Sequence, residues 1–291
     1  MQQLQAAVPL HNQGELEKAE TIYRKVLAID ANNLYALNFL GCIQGNKKRF
    51  DEGINFLKKA VSLQPGNPDA VYNLGNIYRE LGYFAKIREC FEEAIKINPK
   101  HSLAHYNLGN LFRELEDYNN AIKFYLKAID INNNYDDAYT NLGLTFSFIG
   151  KLDNAIKNLN KAIQINPKNP EAHFELIEIY ERSNNDKMFK SSILYAKKNL
   201  KYSSVIKLYE ARFLYKKDKF KDAIKILESI NFDKKMSSYD ILKNSTLGKC
   251  YDKIKNIDKS FNFFLEAKKL TMQKKRFVNI DKNIIIEQIK K

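Results

Sequence analysis

The chain has no tryptophan, four histidines, three cysteines and six prolines in 291 residues, and these scarcities close off whole classes of function. Cys42, Cys90 and Cys250 stand far apart with no C-x-x-C spacing, so neither a disulfide framework nor a zinc site is built from them. A reducing, cytoplasmic setting is the expectation. Nucleophilic catalysis needs a nucleophile beside a base, and the few histidines with no G-x-S-x-G offer none. No G-x-x-x-x-G-K-[ST] loop occurs, since "STLGKC", Ser245 to Cys250, holds only the Gly-Lys pair. No apolar run reaches the ~18 residues that would span a bilayer. The opening stretch lacks the basic n-region and unbroken apolar h-region of a secretory signal. No cofactor is implied.

Charge is abundant but lopsided. The net formal charge is +14, of which residues 1–140 carry −1 and residues 141–291 carry +15. A basic half suits nucleic acid, an anionic surface or an acidic partner. Lysines decorating solvated helix faces are the plainer explanation, and the clusters "KKRF" at Lys47 and "KKDKFK" at Lys216 fall at turns between helices. Nucleic-acid binding would need aromatics interleaved with the cations on one face, whereas the tyrosines here go to packing columns, so that reading is disfavoured.

The strongest signal is repetition. "AVYNLGNIYRELGYF", Ala70 to Phe84, returns thirty-four residues later as "AHYNLGNLFRELEDY", Ala104 to Tyr118. With units at 34–67, 68–101, 102–135 and 136–169, position 7 reads Leu40, Leu74, Leu108, Leu142. Position 8 reads Gly41, Gly75, Gly109, Gly143, and position 27 reads Ala60, Ala94, Ala128, Ala162. A partial first unit covers 1–33, with the turn residue Gly14 and then Ala19 and Tyr23 in column. The unit 170–203 is degenerate and loses the small residue at position 20. The unit 204–237 recovers Ala223 and Leu227. A three-residue slip, Ser238 to Asp240, precedes a last unit 241–274 containing Leu247, Gly248, Tyr251, Phe264 and Ala267. The chain thus divides into regular units over 1–182, irregular ones over 183–274, and a basic C-terminal helix or connector over 275–291.

Positions 4, 7, 8 and 11 put one apolar stripe on a first helix, and positions 17, 20, 24 and 27 put another on a second. Glycine at position 8 and alanine at 20 and 27 let helix axes approach where Tyr78, Phe91 and Tyr125 fill the gaps. Pro65, Pro99 and Pro167 end second helices. The pattern resembles the tetratricopeptide repeat, whose signature shows as "VYNLGNIY" (Val71 to Tyr78), "AIKFYLKAI" (Ala121 to Ile129) and the three prolines. Departures are local: position 4 never holds tryptophan, and position 20 is Gly53 and Ile87 in two units. The resemblance implies an all-α, right-handed superhelical solenoid of about eight antiparallel helix pairs, with the first helices lining a concave groove.

In such an array positions 2, 5, 6, 9, 12 and 13 face the groove. The two duplicated stretches match there: Tyr72 with Tyr106, Asn73 with Asn107, Asn76 with Asn110, Arg79 with Arg113, and Glu80 with Glu114. Asn141 extends Asn73 and Asn107 into a ladder at position 6. An amide offers an acceptor and two donors, so it can pair with a peptide group whatever the adjoining side chain. These residues are the expected peptide-binding surface; the alternative is that position-6 asparagines fill hydrogen bonds between neighbouring helices. The family's carboxylate clamp needs a basic residue at position 5, where this chain has Asn38, Tyr72, Tyr106, Thr140 and Phe174. A chaperone-tail adaptor is therefore not expected.

His101 and His105 are four apart, but a third metal ligand is missing and Pro99 sets His101 at a helix boundary. Asp136 and Asp137 open a helix, where negative charge suits the dipole, and read as capping. After the last unit, "KKRFVNIDKNIIIEQIKK" brings Ile284, Ile285 and Ile286 together, more apolar than a terminal cap should be. Either this segment folds back or the chain continues. The opening "LHNQGELEKAETIYRKVLAIDANN", the loss of pattern near the middle, and the closing "LGKCYDKIKNIDKSFNFFLEAKKL" with its basic connector resemble, more narrowly, the tetratricopeptide arm of bacterial sulfotransferase fusions. That resemblance implies a catalytic domain beyond this chain, since no phosphosulfate-binding loop occurs within it. Two functions stay open: an interaction scaffold for a peptide or protein segment, and the substrate-recognition arm of a larger transferase.

Overall fold

In the computed structural model, residues 2–201, 203–232 and 237–289 are described, with side chains over 6–201, 203–232 and 238–273. The described residues form sixteen helices and no strand. In the first compact unit, Met1–Asn133, they are α1 (Gln2–Asn12), α2 (Leu16–Ile29), α3 (Leu34–Asn46), α4 (Phe50–Leu63), α5 (Pro68–Glu80), α6 (Phe84–Ile97), α7 (Ser102–Glu114) and α8 (Tyr118–Ile131). In the second, Asn134–Glu287, they are α9 (Asp136–Phe148), α10 (Leu152–Ile165), α11 (Pro170–Arg182), α12 (Asp186–Asn199), α13 (Ser204–Lys216), α14 (Phe220–Glu228), α15 (Ser237–Lys253) and α16 (Ile257–Ile289). Within each unit, consecutive helices pair into hairpins and each hairpin packs on the next in chain order.

The repeat is written into the backbone as firmly as into the side chains. First helices begin at 34, 68, 102, 136, 170 and 204, and second helices at 16, 50, 84, 118, 152, 186 and 220. Every hairpin turn contains one left-handed residue in register: Gly14, Lys48, Gly82, Glu116, Gly150, Asn184, Asp218 and Lys255. Only three of these are glycine, so the tight turn imposes the conformation even where a Cβ makes it unfavourable. The residue before each first helix is an N-cap column. Asn33, Asn67, His101, Asn169 and Ser203 each accept a hydrogen bond from a first-turn backbone N–H. This explains His101, whose Nδ1 accepts from Ala104 N at 3.1 Å.

Helix pairs are held at close range by one recurrent contact. A Cβ added to the position-8 glycine would lie 2.4 Å from Leu57 at Gly41, 2.7 Å from Phe91 at Gly75, 2.7 Å from Tyr125 at Gly109, 2.7 Å from Leu159 at Gly143 and 2.9 Å from Phe264 at Gly248. The facing residue is position 24 in every case. Leu57, Phe91, Tyr125 and Leu159 are fully buried, as are the small residues Ala60, Ala94, Ala128 and Ala162 behind them. Where position 8 is not glycine, Ile177 and Ala211 stand there and are themselves fully buried. The lost small residue at position 20 is Phe189, fully buried, with its ring edge-on to Phe213 at 5.7 Å.

Three departures reshape the second unit. Helix α13 buries Val205, Leu208 and Tyr209, at positions 2, 5 and 6, while Lys207 and Glu210 occupy the usually apolar columns 4 and 7. Its packed stripe has therefore rolled toward the face that is polar elsewhere. Helix α14 is short, nine residues against fourteen in α4. The three-residue slip, Ser238 to Asp240, lies in an added turn at the start of α15, which has seventeen residues where the first helices α3, α5, α7, α9, α11 and α13 have thirteen. The compact units divide at Asn133/Asn134. The Ile284 to Ile286 side chains lie outside the described residues.

Overpacking a buried contact costs about 1–3 kcal/mol. Gly109→Ala should lower denaturant-measured stability by about that much, because its new methyl meets the buried Tyr125 ring. Gly66→Ala, with nothing within 4 Å, should be close to neutral, and equal effects would contradict the packing account.

Candidate functional site

On α3 and α5 the polar positions of the first helices line an open cleft of about 620 Å³. Cys42, Asn46 and Lys48 form one side, and Asn73, Asn76 and Arg79 the other. Of the residues expected to bind peptide, these last three are brought together around open space.

The position-6 ladder is not a row of free amides. Asn73 Nδ2 donates to Asn38 Oδ1 at 3.0 Å, and Asn107 Nδ2 donates to the Tyr72 hydroxyl at 2.8 Å. In both, the donor is position 6 and the acceptor is position 5 of the preceding repeat. Asn107 is buried, and its Oδ1 accepts from Arg79 Nη1 at 3.0 Å and more weakly from Asn110 Nδ2 at 3.4 Å. Tyr72 is fixed further by the Phe91 ring at 5.5 Å and His101 at 4.8 Å. Of the two readings of position 6, these contacts fit the one in which the asparagines bridge neighbouring helices, and the neighbouring repeat takes up the hydrogen-bonding capacity of Asn107. Asn141 belongs to the second unit and is likewise buried.

Position 9 differs between the twin repeats. Asn110 Oδ1 accepts from the Tyr125 hydroxyl at 2.8 Å. Asn76, one repeat earlier, faces Phe91 in the same column, and a phenyl ring has no donor to give. Its Oδ1 is buried and makes no hydrogen bond. Leaving a buried carbonyl unpaired costs about 1–3 kcal/mol; the Asn76 side chain borders the cleft, and a donor from outside the chain reaches this oxygen once the amide turns outward. Asn73 Oδ1 on the same wall also has no donor among the described residues. The remaining expected residues do not reach this cleft: Tyr106 packs its ring 6.0 Å from Tyr125, and Arg113 lies half-buried on α7.

In the second unit the corresponding face is filled around the first turns of α11, α13 and α15. The Tyr209 hydroxyl donates to Glu178, Phe174 lies 6.4 Å from the Tyr209 ring and 6.3 Å from Tyr239, and Tyr239 comes from the added turn of α15. Burial, then the carboxylates of Glu178, Glu171 and Glu175, push the Tyr239 hydroxyl up to about 12. Nothing in the column reading pointed to this closure, although Lys207 and Glu210 in apolar columns were a visible sign that α13 sits differently.

Other chemical candidates resolve into scaffold roles. His105 Nε2 pairs with Pro99 O at 3.0 Å and His173 Nε2 with Pro167 O at 2.9 Å; burial lowers the basicity of both. No group of three or more His, Cys, Asp or Glu among the described residues could hold a metal. Asp136 lies in the first turn of α9, where it also receives Asn166 Nδ2 at 2.8 Å and Asn169 Nδ2 at 3.1 Å, tying two repeats together. Glu20 is the most perturbed carboxyl. Burial alone would raise it, but hydrogen bonds from Lys47, Gln44 and Arg24 hold it at about 2, a permanently ionised link from α2 to α3. No described helix is long and apolar enough to cross a membrane.

Hairpins of fixed length, stacked in order with a polar cleft on their first helices, define a helical-repeat binding module. Models of the tetratricopeptide repeat match residues 6–33, 34–67, 68–101 and 90–123, and a further TPR repeat model matches 109–147 and 149–183. The chain belongs to the tetratricopeptide repeat family. Among solved structures it is similar to pilF of Pseudomonas aeruginosa, with 17% identity, 72% of this chain and 96% of that chain covered, and a TM-score of 0.63. It is also similar to a tetratricopeptide repeat protein from Parabacteroides merdae, with 18% identity, 84% and 98% covered, and a TM-score of 0.59. Both likenesses concern the fold. MamA is 28% identical over 55% of this chain and 93% of that chain, with a TM-score of 0.48. No curated protein matches the chain.

Because Asn107 bridges α5 and α7, Asn107→Ala should destabilise the protein by about 1–3 kcal/mol in chemical denaturation, leaving Tyr72 and Arg79 without their partner. A neutral result would mean that the bridge contributes nothing to the stack.

Proposed function

We propose that the chain is a protein-interaction scaffold, and that its first unit holds an extended segment of a partner against α3 and α5. The observation that supports this reading is the buried, unpaired Oδ1 of Asn76 beside a cleft of about 620 Å³. A peptide N–H is the commonest donor that a protein partner brings. Two carbonyl acceptors on one wall, from Asn73 and Asn76, grip a backbone without reading its side chains. Arg79 and Lys48 outnumber the one carboxylate of the lining, Glu80, and so favour segments with a carboxylate nearby. No proton transfer or covalent step is asked of the site, in keeping with amides and cations that hold a chain rather than cut it.

The narrower sequence resemblance gives the same cleft a second task, presenting an acceptor to a sulfotransferase domain encoded after Lys291. A phosphosulfate-binding loop in the following coding sequence would support that version; a stop codon there would remove it.

Phe91→Tyr tests the cleft directly, because the homologous Tyr125 hydroxyl reaches Asn110. Supplying that hydroxyl to Asn76 should raise stability by about 0.5–1.5 kcal/mol. It should also weaken, by about tenfold, binding of peptides selected against the wild-type chain from a displayed library. Unchanged affinity in a stabilised Phe91→Tyr protein would remove Asn76 from recognition.

A further inference from the structure

In the second unit, α11, α13 and α15 line a separate cleft of about 310 Å³. Its charged walls are Glu181 and Arg182 from the end of α11, Arg212 and Lys216 from α13, and Lys249 from α15. Four cations therefore face one carboxylate.

Arg212 anchors the arrangement. Its Nε donates to both oxygens of Glu181, at 2.8 and 3.1 Å, and its Nη1 donates to Thr246 Oγ1 at 3.0 Å. Side-chain exposure of 20% leaves the guanidinium little freedom, while its Nη2 group has no acceptor among the described residues. Lys216 enters one turn later, with Nζ 3.2 Å from Glu181 O and 3.0 Å from Asn184 Oδ1. Outside the walls, Glu175 pairs with Arg182 at 3.1 Å, and Asp186 is shared between Lys216 at 3.4 Å and Lys217 at 2.6 Å. Asp186 answers two lysines with one charge, and Lys249 has no carboxylate partner among the described residues. Lys249 is exposed.

The open Nη2 of an oriented guanidinium beside an ammonium group without a carboxylate is matched by a carboxylate, whose oxygens can accept from both. We propose that this cleft docks an acidic segment of a protein partner, with a glutamate or aspartate side chain on Arg212 and Lys249. Tyr215 supplies apolar surface on the same wall. A nucleic acid would ask for several aromatic platforms among the cations, and the cleft has this one ring. The proposal uses residues of the second unit only and stands apart from the reading of the Asn76 cleft.

The test is fluorescence anisotropy of the full chain with a labelled peptide of alternating glutamate and alanine, and with its glutamine and lysine counterparts. At about 0.1 M salt the screening length is about 10 Å, so contact pairs survive while diffuse attraction fades. The glutamate peptide should bind at least about tenfold more tightly than the glutamine one. Lys249→Glu should weaken it by about tenfold, whereas Lys225→Glu, exposed on α14 outside this cleft, should change it less than about twofold. Asn76→Ala should leave this binding unchanged even if it abolishes the binding assigned to the first unit. The proposal is overturned if the glutamate peptide fails to bind, if Lys249→Glu and Lys225→Glu act alike, or if a single-stranded oligonucleotide displaces the peptide at lower concentration than the peptide itself requires.

Discussion

Each regular hairpin depends on a close approach between a glycine at position 8 and a large residue at position 24. With 2.4 to 2.7 Å between a hypothetical Cβ and that neighbour, no other residue fits without moving a buried side chain. The contact sets the separation of the two helices, and the left-handed turn residue sets their reversal. Together they make each pair a unit that stacks on the next through its small position 27. None of the pairs has enough apolar surface to stand alone, so order along the chain becomes order in space.

Recognition then arises from small mismatches inside this regular frame. In column 24 the choice between phenylalanine and tyrosine looks conservative, since either ring fills the space above the glycine. The hydroxyl is what matters: at Tyr125 it satisfies Asn110, and at Phe91 its lack leaves Asn76 with a buried, unanswered oxygen. In the second unit, rolling α13 and lengthening α15 places Tyr209 and Tyr239 over the acidic face of α11 and leaves open a basic cleft around Arg212. Binding potential thus collects where a repeat departs from its neighbours.

The helices were legible from the columns of the sequence because their period is local and survives even where the pattern weakens, as at Phe189 and Ile177. The left-handed turns were less so: glycine marks three of eight, while Lys48, Glu116 and Asp218 give no sign of their backbone. The site was legible only in part. Twin stretches led to Asn73, Asn76 and Arg79, which do meet at a cleft. They also led to Asn107, which is buried because Tyr72 and Arg79 reach it from 35 and 28 residues away. A side chain's availability depends on what the adjacent repeat offers it, and that is set by packing across repeats rather than by a column. Comparing columns 9 and 24 together, Asn76 with Phe91 and Asn110 with Tyr125, was the signal that would have separated the two.

The central claim is that an unsatisfied amide on the first helices of the first unit, not the second helices behind them, meets the partner. Amide and side-chain NMR shifts of the isotopically labelled chain, followed while a library-selected peptide is added, test it most directly. The account predicts that the changes centre on α3 and α5 and include the side-chain amide of Asn76. Changes concentrated on α4 and α6, with the Asn76 amide unmoved, would contradict it.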